Sequence, residues 1–176
     1  MEVLNYNEFK VTDEMQASKG KRFANLLIDR ILFYGIFFLF GAVAYVLADF
    51  LDSEAIYAFL LFLDNVNPLL DMFATSLVYV VFYTILESLT QRTIGKLITQ
   101  TKVVLENGEK PKVDVILLRS LARIIPFEPF SFLGNSPRGW HDTLTKTYVV
   151  DTKIFDEQKK AFEDFKLIGI KEMESV

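Results

Sequence analysis

From Ile31 to Ala48 the chain carries no charged residue, and that run decides which solvent it can fold in. A helix needs ~20 apolar residues to cross ~30 Å of hydrocarbon, so an uncharged stretch of this order reads as a membrane span. No Lys or Arg occurs anywhere between Ile31 and Gln91. A core helix of a soluble protein keeps one polar face, whereas 23–48 keeps only Asn25, Asp29 and Arg30 near its start. The first span is therefore placed at 23–48. Composition alone would not decide this, because the hydrophobic fraction of 51% is close to that of soluble domains.

The polar N-terminal segment 1–22 mixes Glu, Asp and Lys and lacks an apolar core, so it is not a cleavable signal peptide. Span one is expected to double as an uncleaved targeting signal, and a short amphipathic turn is expected around Tyr6 to Val11. Loop 49–71 holds five acids (Asp49, Asp52, Glu54, Asp64, Asp71) and no base. Within it, Ala55 to Leu63 is apolar but too short to cross and reads as an interfacial or capping helix. Asn65-Val66-Asn67-Pro68 marks a turn, and a second span is placed at 69–89. Arg92, Lys96, Lys102, Lys110 and Lys112 follow, against only Glu106 and Glu109 before residue 113. Cytoplasmic loops carry the excess of Lys and Arg. That rule puts the N-terminus and segment 90–113 in the cytoplasm and loop 49–71 outside.

Thr101 to Leu105 is short and β-branched, Asn107-Gly108 is a turn dipeptide, and Tyr148 to Val150 is a second strand-like run. The two runs are expected to pair into a small, β-hairpin-like cytoplasmic sheet, which requires segment 113–133 to start and finish on one side. That segment bears Arg119 and Arg123, each costing about 2.5–3.5 kcal/mol in a span centre. Pro126 and Pro129 then interrupt a Phe-rich stretch. An amphipathic helix followed by a shallow aromatic or re-entrant wedge fits better than a third crossing. The tail 151–176 has seven acids and five lysines. Phe155, Phe162, Phe165 and Ile168 fall near helical spacing, with Gly169 expected to end the helix. The reading is an all-α membrane protein of two transmembrane helices, three if 113–133 crosses. Its domains are 1–22, a membrane domain 23–150 and a charged tail 151–176.

Arg22 and Asp29, seven residues apart, share a helix face with Asp29 about 10 Å deeper. An acid at that depth must face protein and find a partner. Arg22, Arg119 and Arg123 are the available cations, and an ion-pair staple between span one and the cytoplasmic helix is one reading. Ser76, Tyr79, Tyr83 and Glu87 form a polar stripe along span two. Such side chains turn inward as glue between helices, or else line a hydrated path ending at Glu87. Asp29 and Glu87 at similar depth suit a monovalent-cation or proton site. His141-Asp142 supports neither a metal site nor a catalytic triad, with one His and no Cys in the chain. Gly95-Lys96 lacks the rest of a phosphate-binding loop. No cofactor, metal or catalytic constellation is expected, and the formal charge of −4 argues against nucleic acid.

Arg22, Ala24 and Asp29 in span one, Thr93-Ile94-Gly95-Lys96 after span two, and Trp140-His141-Asp142 before Thr147-Tyr148-Val149-Val150 occur in order. This set resembles the RDD family of membrane proteins. The resemblance implies that Arg22, Asp29 and Asp142 are the arginine and two aspartates that name the family, and that Arg119 and Arg123 belong to its basic helix. It also implies transport of unknown ligands, with some members exchanging Na⁺ and H⁺. This chain differs in its short, Arg- and Pro-interrupted third apolar segment and its extended tail.

Two functions follow. The first is a small transporter of monovalent cations or protons in a bacterial cytoplasmic (inner) membrane. It would use Asp29, Glu87 and Asp142 with Arg22 as charge partner, in a homo-oligomer or with another membrane protein. The second is a non-transporting accessory or scaffold subunit. The matching depth of the carboxylates ranks transport first. Topology is checked by fusing a charge-neutral reporter to loop 49–71 and to the tail. Opposite sides of the membrane are expected, and a shared side would overturn the architecture.

Overall fold

The computed structural model describes residues 8–134 and 138–174, without the side chains of 129, 132, 133 and 169–174. A 3-10 turn at Asp13–Met15 precedes helix α1 (Lys19–Phe50), α2 (Glu54–Asp64), α3 (Pro68–Thr90) and the short α4 (Ile94–Ile98). Strand β1 (Thr101–Leu105), helix α5 (Val113–Ala122), a 3-10 segment Glu128–Leu133 and α6 (Trp140–Leu144) follow. Strand β2 (Thr147–Asp151) and helix α7 (Thr152–Glu174) complete the order.

Local chemistry sets the helix boundaries. The Ser18 hydroxyl accepts from the Lys21 N–H at the start of α1. Asn67 accepts from the Leu69 N–H at 2.9 Å, and Pro68 at the first helical position costs no hydrogen bond. Gln91 closes α3 in a left-handed conformation. The expected spans thus appear as α1 and α3, each slightly longer than its apolar stretch, and the apolar run of loop 49–71 is α2. It packs back on the C-terminal end of α1, with Tyr57 edge-on to Tyr45 at 6.0 Å.

Two helices are long and apolar enough to cross a membrane, Lys19–Phe50 and the stretch Pro68–Ile98 through α3 and α4. Only 11% and 17% of their most apolar windows is buried, which a core helix of a soluble protein would not show. Phe33 of α1 joins the pair: it is 3% exposed and meets Tyr79 edge-on at 5.1 Å and Phe82 at 5.8 Å. Helix α5, at ten residues, rises about 15 Å and covers half the hydrocarbon thickness.

The expected strand pair forms, antiparallel, with Thr101 opposite Asp151 and Leu105 opposite Thr147. It is not a hairpin, because α5 and α6 lie between the strands in sequence. Asn107-Gly108 does turn the chain, with Gly108 at φ +73°, but the turn leads into α5 rather than a partner strand. A two-stranded ribbon is marginal in water and needs cover. Here both faces are covered. Val103 and Val149 pack with Ala17 and Ile116 of α5 on one side. Val104 and Val150 pack with Met15 and Phe155 of α7 on the other.

Two further expectations are corrected. Residues 8–11 form no helical turn; Val11 donates its N–H to the Glu106 carbonyl at 2.9 Å, and Tyr6 and Asn7 lie outside the described residues. Gly169 does not end the last helix, which runs on to Glu174. Of the four apolar residues on the tail, Phe155 is buried and Phe162 packs edge-on to Phe9 at 5.6 Å, while Phe165 and Ile168 are exposed. The helix therefore docks by its first three turns. Phe155→Ala is expected to cost about 3–5 kcal/mol and to expose α7 to limited proteolysis, read in detergent beside thermal unfolding.

Candidate functional site

Where α1, α3, α4, α5 and α6 meet, on the site-facing side of the sheet, charged side chains replace the apolar core. Glu87, on the last turn of α3, is fully buried. Its Oε1 accepts from Lys96 Nζ at 2.7 Å and Arg123 Nη2 at 2.9 Å, and its Oε2 from Arg119 Nε at 3.2 Å. Arg119, on α5, is also fully buried. Its Nη1 reaches a second carboxylate, Asp142 of α6, and donates to the Thr147 hydroxyl at 2.5 Å. Asp142 accepts from Arg22 of α1 through its other oxygen, and from the Gly139 N–H at 2.9 Å. One guanidinium thus links α3, α5, α6 and β2, and Asp142 adds α1.

Asp29 sits one layer away and is held differently. Its two oxygens accept from the Thr93 hydroxyl at 2.6 Å and the Gly95 N–H at 2.7 Å. The carboxylate caps α4 from a neighbouring helix, where exposed N–H groups and the helix dipole favour an anion. Thr93 is also the local cap, accepting from the Lys96 N–H at 3.4 Å. Gly95 is required by contact: a Cβ there would lie 2.6 Å from the Asn25 carbonyl oxygen and 2.9 Å from Asp29 Oδ1. Asn25, one turn before Asp29, bridges the Thr99 and Thr101 hydroxyls. Turned so that its nitrogen faces the backbone, its amide also meets the Lys21 and Gly95 carbonyls at 3.2 and 3.1 Å.

A family model described as the RDD family matches residues 16–165. The chain belongs to the RDD family. Neither a curated protein nor a solved structure matches it. The matched span runs from Gln16, which bridges to Val150 of β2, into α7, so it contains every member of the charged network.

In this RDD protein the structure places Arg22, Glu87, Arg119, Arg123 and Asp142 in one ionic network and Asp29 beside it. The described ion pair of Arg22 is to Asp142 rather than to Asp29, the partner its helix spacing suggested. The polar stripe of α3 turns inward progressively. Ser76 bonds its own helix at the Met72 carbonyl, Tyr79 stacks on Tyr83 with centroids 4.4 Å apart, and Tyr83 and Glu87 are buried. Sequence reading missed Lys96, Thr93, Asn25, Thr101 and Thr147. Lys96 counted as a loop charge and as part of the block Thr93-Ile94-Gly95-Lys96, with no partner assigned, although nine residues after Glu87 a helix break can fold it back. The β-strand alternation that puts Val103 and Val149 on one face also puts Thr101 and Thr147 there, which was a usable signal.

His141 is buried and contacts the Glu128 carboxylate through Nδ1. Burial, reinforced by Arg119 and Arg123, pushes the imidazole down to about 4 against the pull of Asp142 and Glu128. Its Nε2 lies 3.4 Å from Asp142 Oδ1, so a carboxylate faces each ring nitrogen. Burial alone would raise the Asp142 carboxyl, but Arg119, His141 and Arg22 together hold it well below the usual range. Among the described residues no group of three or more His, Asp or Glu side chains could hold a metal ion. The arrangement neutralises buried charge and ties helices together.

Breaking a buried ion pair on one side costs about 3–5 kcal/mol. Each carboxylate here keeps another cation when Arg119 is lost, so Arg119→Met is expected near the lower end. In a double-mutant cycle with Glu87→Gln, measured by denaturant unfolding in micelles, a coupling of about 1–3 kcal/mol is expected. Additivity within about 0.5 kcal/mol would remove Arg119 from the centre of the network.

Proposed function

We propose that this RDD protein is a non-transporting scaffold or accessory subunit of a membrane complex, built to hold a charged cap rigidly on two spans. The orientation that goes with this reading has the cap and tail in the cytoplasm of a bacterial cell and loop 49–71 outside, as the Lys and Arg distribution favours. The observation that carries it is the saturation of two of the three candidate carboxylates, Glu87 and Asp142. Glu87 faces Lys96, Arg119 and Arg123, and Asp142 faces Arg22 and Arg119. A carboxylate ringed by fixed cations offers a Na⁺ or a proton little free energy.

One observation favours a second reading, cation/proton exchange by an oligomer. The described hydrogen bonds of Asp29 come from neutral donors, and its carboxylate borders a cavity of about 50 Å³. That volume admits a few water molecules. A single assay separates the readings. In proteoliposomes holding the purified chain, no Na⁺, Li⁺ or K⁺ exchange for H⁺ above protein-free vesicles is expected. Glu87→Gln is expected to lower the amount of folded protein in membranes at least severalfold. Exchange that Asp29→Asn abolishes in a folded protein would overturn the scaffold in favour of the exchanger.

A further inference from the structure

Beside the network, and sharing Arg30, Tyr79 and Arg123 with the small cavity, lies a groove of about 370 Å³ between α1, α3 and residues 123–130. Its two ends differ in chemistry. One end holds two arginines. Arg30 lies over the Tyr79 ring at 5.1 Å. Arg123 lies over Tyr83 at 4.2 Å and spends Nη2 on Glu87. Its Nη1 is buried with no hydrogen-bond partner in the structure. Arg30 forms none of the described ion pairs, and Arg123 shares Glu87 with Lys96 and Arg119, so this end of the groove is cationic. The described lining contains no carboxylate.

The other end is apolar. Phe33, Tyr34, Ile124 and Phe130 line it, together with Phe127, which is 77% exposed. Phe127 has φ +65°, a conformation that an aromatic residue rarely adopts. It turns the ring outward while the next residue, Glu128, is buried against His141. Position along α1 fixes the depth. Arg30 is the last charged residue before the uncharged run from Ile31 to Ala48, so the arginine end lies at the level where hydrocarbon gives way to headgroups. Charge sums agree. Arg22, Arg30, Lys96, Arg119 and Arg123 outnumber Asp29, Glu87, Glu128 and Asp142 by one.

We propose that this groove binds one anionic phospholipid, its phosphate accepted by Arg30 and Arg123 and an acyl chain laid along the aromatic wall. Phosphate supplies a counter-charge for the two arginines that line this end. The chain covers apolar surface that the protein leaves open. Basic pockets beside spanning helices bind anionic headgroups by this chemistry.

The test uses the full-length protein, delipidated in detergent, with thermal unfolding and native mass spectrometry as readouts. Phosphatidylglycerol is expected to raise the unfolding temperature and to remain bound. Phosphatidylcholine of the same chains should bind at least about tenfold more weakly, and inorganic phosphate should do neither. Arg30→Gln removes a charge that has no carboxylate partner among the described ion pairs and should lower phosphatidylglycerol affinity about tenfold. Ser76→Trp fills the groove from α3 without altering charge and should do the same, so the proposal stays testable if Arg30→Gln fails to fold. Equal binding of the two lipids, or phosphatidylglycerol affinity within twofold of the native protein in either folded variant, would overturn it. Stabilisation by inorganic phosphate equal to that by phosphatidylglycerol would show a small-anion site instead and also overturn it.

Discussion

Arg119 makes the rest of this structure possible because it is fully buried and holds two carboxylates from different helices at once. Its Nε serves Glu87 and its Nη1 serves Asp142. A planar, fixed fork can do this, whereas a lysine ammonium is a single point charge on a flexible stem. Through these bonds α5, a helix too short to cross a membrane, is pinned against α3, and α6 is brought over α1 where Arg22 closes the ring. The sheet depends on the same anchor, since Thr147 at the start of β2 also accepts from Arg119. Without that docking the two strands would be an isolated ribbon carrying its own backbone at the edge of an apolar belt.

The network also explains why the two spans need so little direct packing. In lipid there is no hydrophobic drive between helices, and association rests on close packing and on polar groups that hydrocarbon cannot satisfy. Here the aromatic contact of Phe33 with Tyr79 and Phe82 is local. The stronger tie is made beyond it, where Asp29 caps α4 and Glu87 draws Lys96 back across the break that follows α3. The break is short enough for this only because Gly95 lets α4 approach the backbone of α1 at Asn25.

Much of the frame could be read from the chain. The uncharged run after Arg30 and the inward stripe ending at Glu87 gave both long helices, and the alternation around Val103 and Val149 gave the strand pair. Arg119 and Arg123 argued against a simple third crossing on cost alone. What could not be read was the pairing within the charged set. Helix spacing placed Asp29 above Arg22 and Asp29 level with Glu87, which suggested a two-carboxylate site. Spacing along one helix says nothing of which residues another helix supplies. Lys96, Arg119 and Arg123 converge on Glu87 only because α4 and α5, which both follow α3 in the chain, fold back onto its last turn. The helix past Gly169 was misjudged for a simpler reason. A glycine costs a helix only about 1 kcal/mol, and neighbours with good helix propensity can carry it.

Buried ion pairs rarely add stability over an apolar replacement, because desolvation offsets most of the attraction. Their use here is better understood as selection of one arrangement among many. Apolar helices facing lipid can slide and rotate at little cost, whereas Glu87, Arg119 and Asp142 are satisfied in one register only. The location of the network follows from the same balance. Deeper in the hydrocarbon the desolvation cost would exceed what the pairs return, and in open water the pairs would be worth too little to set geometry. At the boundary marked by Arg30 the cap is dry enough for its charges to hold one another and close enough to headgroups for its surplus positive charge to be met from the membrane.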